Sequence, residues 1–163
     1  MEYSKEAVRV GLSRHGLGVF SLRRFTAGEF IGPIQGEIVE DPQYSSDYCI
    51  ELGDRSLEPA APFRFLNHSC QPNGALVTYD EEDEDGTPRG SSVWLKILDE
   101  IAPGEQMTID YAWPANAAIP CRCGASSCRG WIVAEEDLGA VVAGTLRVPS
   151  ALERRFRLDA RPT

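Results

Sequence analysis

A chain of 163 residues, 42% hydrophobic and 25% charged, has the size and composition of one folded domain with a core of its own. Its 25 acidic and 16 basic residues leave a formal charge of −9, which argues against nucleic acid as a direct partner and suits a basic protein or peptide. No stretch reaches the apolar length of a membrane span, and residues 1–10 carry charges where a secretion signal is apolar, so a soluble intracellular protein is expected, cytoplasmic or, in a eukaryote, nuclear.

Taken in chain order, β-like runs are predicted at 7–10, 19–22 and 30–39, punctuated by Gly16, Gly18, Gly28, Gly32 and Gly36. Residues 47–52 form another predicted strand. Residues 75–79 and 92–98 flank the acidic run from Asp80 to Asp85 and are expected to pair as a hairpin, with the acidic residues at a solvated tip. A strand at 106–111 follows the Pro103-Gly104 turn, and a short helix is expected at 152–158, with Ser150 as its cap. There are no internal repeats, no heptads and no long helical period before residue 130. The expectation is one mainly β domain with a cysteine-rich coda.

Four segments carry chemistry. Three of the five cysteines, Cys121, Cys123 and Cys128, lie within eight residues, a spacing that reads as metal binding rather than as disulfides. A closed structural zinc site needs four ligands, and the fourth is open among Cys49, Cys70, His15 and His68. Residues 64–73, Arg-Phe-Leu-Asn-His-Ser-Cys-Gln-Pro-Asn, pack Asn67 and His68 into a turn rich in donors and acceptors. Gly16-Leu17-Gly18 lets a backbone bend and come close to a ligand, although a hairpin turn explains it equally well. Residues 104–111 end a strand on Asp110 and Tyr111, a carboxylate beside a phenol.

In this order the four segments resemble the SET-domain protein-lysine methyltransferases with a post-SET zinc motif, over roughly residues 6 to 132. Gly16-Leu17-Gly18 looks like the family's Gly-x-Gly element. Residues 64–73 match its Arg-Phe-(Ile/Leu)-Asn-His-Ser-Cys-x-Pro-Asn signature, and residues 104–111 are similar to Gly-Glu-Glu-Leu-Thr-x-Asp-Tyr. Residues 121–130 match Cys-x-Cys-x₄-Cys-Arg-Gly. The resemblance implies a SET-domain fold of several small β-sheets with a pseudoknot at 6–118, a zinc-binding post-SET segment at 119–134, and a tail of open role at 135–163. It implies that Cys70 joins Cys121, Cys123 and Cys128 around one structural zinc ion. It further implies S-adenosylmethionine held by Gly16, Leu17, Gly18, Arg64, Phe65, Asn67, His68 and Trp131, the last near the adenine. Ile34 or Pro33 stands where the family has a channel tyrosine, and Gln106 and Met107 replace its second Glu and its Leu.

The activity so implied is methyl transfer to a lysine ε-amine on a basic protein or peptide. Tyr111 would orient the amine and methyl group, and Tyr48 would wall the channel. The alternatives are a SET-like module that binds the donor without turnover, which the substitution near Ile34 favours, and a methyltransferase acting on a small molecule. A zinc-ribbon interaction protein would not require the Asn67-His68 and Asp110-Tyr111 segments.

Overall fold

The computed structural model describes residues 7–86 and 88–144, so the helix expected at 152–158 lies outside the described residues. β1 (Val8–Ser13) and β2 (Gly16–Ser21) form a hairpin that pairs Ser13 with Gly16 across Arg14 and His15. The strand expected over 30–39 is instead two, β3 (Phe30–Ile31) and β4 (Gly36–Val39), in different sheets. The break falls where Gly32 takes φ +149° and Pro33 offers no N–H to a ladder. The strand expected at 47–52 shrinks to β5 (Ile50–Glu51), and β6 (Ser56–Pro59), which the sequence did not announce, is the centre of a β4-β6-β5 sheet.

β7 (Asn67–His68) precedes β8 (Gly74–Glu82) and β9 (Pro88–Ile97), the expected hairpin, which extends its strands into the acidic run as far as Glu82. β10 (Gln106–Ile109) completes the order β1-β2-β10-β7, while β3 adds to the hairpin as β3-β9-β8. β11 (Ile119–Pro120) and β12 (Trp131–Ile132) pair with each other, and α1 (Leu138–Val142) is a single short helix. No helix among the described residues is long and apolar enough to cross a membrane.

The chain divides into two compact units. The first takes the described residues through Asn67 and then Pro72–Ile109; the second takes His68–Gln71 and the described residues from Asp110 onward. In the first, alternation along β9 sends Val93, Leu95 and Ile97 into the core, where they join Val19, Phe25, Ile101 and Met107. Each such side chain contributes about 1.5–3 kcal/mol on burial. In the second, Ala115, Ala118, Val133 and Val141 form a small core, with Trp131 and Leu138 packed against it. Leu138 and Val141, within the segment expected as a tail at 135–163, are part of this core.

Sheets this small need help from side chains. The Asn73 amide donates to the Gln106 carbonyl at 2.8 Å and accepts the Thr108 N–H at 2.8 Å, stapling the start of β8 to β10. Asn73→Ala leaves one donor and one acceptor without a partner, and is expected to cost on the order of 2 kcal/mol of unfolding free energy in urea titrations.

Candidate functional site

In the first unit the Gly-Leu-Gly element opens β2. Gly16 takes φ +98°, a conformation that favours glycine. A Cβ on Gly18 would lie 2.6 Å from Gln106 Nε2 and 3.0 Å from Asn67 Nδ2. The second glycine therefore admits an amide rather than merely bending the chain. Asn67 Nδ2 donates to the Leu17 carbonyl at 2.9 Å and to Ser13 Oγ at 3.1 Å, so one side chain ties the hairpin end to β7.

Arg64 lies in a 3-10 turn at Phe63–Phe65, with Phe65 partly buried at the end of that turn. Its guanidinium pairs with Glu58 Oε1 and stacks on the Tyr48 ring, 4.1 Å from the centroid. Glu58 Oε2 accepts the Ser46 hydroxyl at 2.6 Å and the Tyr44 hydroxyl at 3.0 Å. Burial would raise the Glu58 carboxyl, but the bonds from Ser46, Tyr44 and Arg64 outweigh it and hold it below the ordinary glutamate range.

In the second unit one nitrogen of His68 and the sulfurs of Cys70, Cys121 and Cys123 all lie within 4.8 Å of one another. Cys70 Sγ is 3.7 Å from Cys121 Sγ, and the Cys128 thiol is near enough to influence the titration of both Cys121 and Cys123. Backbone N–H groups point at the sulfurs: Cys70 and Ala125 at Cys123, Cys123 at Cys121, and Arg129 at Cys70. Burial pushes the Cys121 and Cys70 thiols up. It pushes Cys123 the same way, yet the donors around its sulfur win and bring it down to about 6. Amides directed at thiolates, in a cluster that concentrates negative charge, fit a cation bound by sulfur. Cys49 is elsewhere, in the first unit, its thiol engaged with the Ser46 backbone, and His15 is exposed at the β1–β2 turn.

His68, only 7% exposed, joins this cluster to the strand end. Its Nδ1 accepts the Tyr111 N–H at 3.3 Å, so the neutral ring carries its proton on Nε2, which faces Cys70 Sγ at 3.3 Å. Burial keeps the ring neutral by lowering its pKa, against the pull of Asp110. With that proton on Nε2, His68 is a donor to Cys70 Sγ. Asp110 is held by two bonds from Arg129, at 2.7 and 2.8 Å, and by the Ala112 N–H at 3.1 Å. The Tyr111 ring lies 5.5 Å from that of His68 and 5.3 Å from that of Trp113. Trp131, in β12, packs against the second unit's core.

Of the residues singled out in the sequence, the structure brings together Gly18, Leu17 and Asn67; Arg64 and Tyr48; and His68, Tyr111 and the four clustered cysteines. It adds Glu58, Ser46, Arg129 and Trp113, which sequence reasoning missed. Arg129 was within reach, since it follows Cys128 directly. Nothing in Ser56-Leu-Glu58-Pro announced a buried carboxylate.

Comparison with known proteins bears on all of this. The model of the SET domain matches residues 16–112. Histone-lysine N-methyltransferase 2B of Homo sapiens is 30% identical over 148 residues, covering 79% of this chain and 5% of that protein. The H3 lysine-9 specific histone-lysine N-methyltransferase SUVH5 of Arabidopsis thaliana is 30% identical over 158 residues, 80% of this chain and 19% of that protein. The chain thus spans only a small part of the curated relatives it matches. The crystal structure of KRYPTONITE in complex with mCHH DNA, an H3(1-15) peptide and SAH aligns with a TM-score of 0.61 at 25% identity, covering 77% of this chain and 29% of that one.

Two outcomes follow from the second unit. Protein prepared with zinc is expected to carry about one ion per chain by mass spectrometry, to lose it in Cys121→Ser, and to keep it in Cys49→Ser. Full zinc content in Cys121→Ser would exclude the cluster as the site. Asp110 binds its proton at lower pH folded than unfolded, so its contribution to stability is complete above the ordinary value of 3.8 and is lost as pH falls through the depressed one. The gap in urea midpoint between wild type and Asp110→Asn should therefore be full at neutral pH and close on acidification.

Proposed function

The chain belongs to the SET-domain family, and from that premise we propose that it is an S-adenosylmethionine-dependent protein-lysine N-methyltransferase whose substrate is a basic protein or peptide. The observation that carries the reading is the double engagement of His68. One buried imidazole holds the backbone of Tyr111 with Nδ1 and faces the cysteine cluster with Nε2, so Tyr111 and the cluster are held by the same ring. The curated relatives named above are histone-lysine methyltransferases, and the KRYPTONITE complex contains both SAH and an H3 peptide; these support the donor and the substrate class.

Bound S-adenosylmethionine supplies a sulfonium methyl group for displacement by a neutral lysine amine. The chain's own part is to hold, orient and desolvate. The proposed donor contacts are those the family motifs imply: Gly16, Leu17, Gly18, Arg64, Phe65, Asn67, His68 and Trp131. Because the Arg64 guanidinium is occupied by Glu58 and Tyr48, its contribution to donor binding would come from its backbone. Tyr111 would direct its hydroxyl toward the amine and the methyl group, favouring the in-line arrangement on which most of the rate depends. Tyr48 would wall the lysine channel, where an apolar lining lowers the amine pKa by disfavouring its charged form. Cys70, Cys121, Cys123 and Cys128 would hold a structural zinc ion with no open position.

The alternative of a donor-binding module without turnover draws on one observation. Ile34 is buried, with its N–H bonded to the Val93 carbonyl, and offers no aromatic wall where the family has a tyrosine. Two measurements decide between the readings. Calorimetric titration of zinc-loaded protein with S-adenosylmethionine and S-adenosylhomocysteine should give saturable one-to-one binding that Asn67→Ala abolishes. Tyr111→Phe should then lower turnover on a lysine-containing histone peptide by about 100-fold with donor affinity nearly unchanged. Donor binding with no transfer to any basic peptide would support the module instead.

A further inference from the structure

Tyr48 is 44% exposed, yet two separate arms fix it, and both start at one carboxylate. The first arm is covalently local. Glu58 Oε2 accepts the Ser46 hydroxyl at 2.6 Å, and the same hydroxyl accepts the N–H of Tyr48 at 3.1 Å and of Cys49 at 2.9 Å. The second arm acts on the ring. Glu58 Oε1 pairs with Arg64, whose guanidinium lies over the Tyr48 face, 4.1 Å from the centroid. The Tyr44 hydroxyl fills the remaining place on Oε2 at 3.0 Å. The Glu58 side chain itself is only 14% exposed.

The costs are unequal in a way that points to use. Withdrawing a carboxylate and a guanidinium from water is expensive and seldom gains stability over an apolar pair. An exposed aromatic ring needs no such support to satisfy the fold. A part-buried carboxylate that ties together, through Ser46 and Arg64, the backbone and the ring of one exposed tyrosine is therefore explained by what that tyrosine must do. We propose that Glu58 is the positioning residue for Tyr48: through Ser46 it sets the tyrosine backbone, and through Arg64 it sets the plane of the ring. Its bearing on turnover rests on the methyltransferase reading and on Tyr48 as a wall of the lysine channel. Glu58 touches neither donor nor substrate, so it acts only through Tyr48.

The test has one arm that needs no activity. In Glu58→Gln, amide hydrogen exchange at Tyr48 and Cys49 should quicken by about tenfold or more, with protection in β9 unchanged. Unaltered exchange at both amides would overturn the proposal, whatever the protein catalyses. The second arm is a double-mutant cycle on peptide methylation. Glu58→Gln alone should lower kcat by about tenfold with donor affinity retained, and in a Tyr48→Ala background the same change should add almost nothing. Multiplicative losses would show that Glu58 acts by another route and sink the proposal. A wild type that binds donor and transfers no methyl group, with the exchange response intact, would overturn both the function proposed above and this role in turnover. Should Glu58→Gln fail to fold, Glu58→Asp, which shortens both arms at their common root, carries the same exchange measurement and the same cycle.

Discussion

The rest of the structure depends on the two nitrogens of His68. A neutral imidazole has one donor and one acceptor pointing in opposed directions, and here each has a fixed task. Nδ1 takes the Tyr111 N–H, and Nε2 faces the Cys70 sulfur. Only a buried, neutral ring can do both. Protonation would remove the acceptor that Tyr111 needs, and exposure would let water compete for either nitrogen. The surroundings meet the requirement: burial disfavours the charged ring, and Arg129 engages the Asp110 carboxylate that would otherwise draw a proton onto Nδ1. Asp110 thus sits beside the imidazole at 3.4 Å without claiming it.

The first unit follows a related logic with amides in place of an imidazole. Its sheets are narrow, and apart from the long β8–β9 hairpin its strands run two to six residues, too short to hold a register by ladder bonds alone. Side-chain amides supply what the ladders lack. Asn67 holds the β1–β2 hairpin end, Asn73 holds β10, and Gly18 is a glycine because the Asn67 and Gln106 amides occupy the space a Cβ would need. The same residues that make the motif recognisable in sequence are those whose removal would leave backbone groups without partners. Motif and scaffold are one set of atoms here.

That identity explains what was legible. The hairpin of β8 and β9 could be read because Val93, Leu95 and Ile97 alternate with polar or aromatic positions around an acidic turn. The cysteine spacing pointed to a cluster before any distance was known, and Cys70 Sγ lies 3.7 Å from Cys121 Sγ. β6 could not be read: Ser56-Leu-Glu58-Pro has a single large apolar residue, and its extended form is imposed by pairing with β4 and β5. The run expected over 30–39 divides at one of the glycines that punctuate it. Its apolar residues fit one run, but Gly32 and Pro33 turn the chain between two sheets. Periodicity reports which faces are buried, and it is silent on which sheet does the burying.

The cysteine cluster raises a question of charge that the local sequence already answers. Four thiolates around a divalent ion carry an excess of two negative charges, which a half-buried site must offset. Arg129, immediately after Cys128, contributes its backbone N–H beside Cys70, while its guanidinium balances the Asp110 carboxylate. The amides of Cys70, Cys123 and Ala125 add partial positive charge at the other sulfurs. A lysine at 129 would keep the charge but could not hold both Asp110 oxygens from one planar group. With Asp110 less firmly held, its carboxylate would be free to raise the proton affinity of His68, and the imidazole could no longer remain a neutral link between sulfur and tyrosine. The arginine that closes the cysteine motif is therefore part of the tyrosine's environment as much as of the cysteine cluster's.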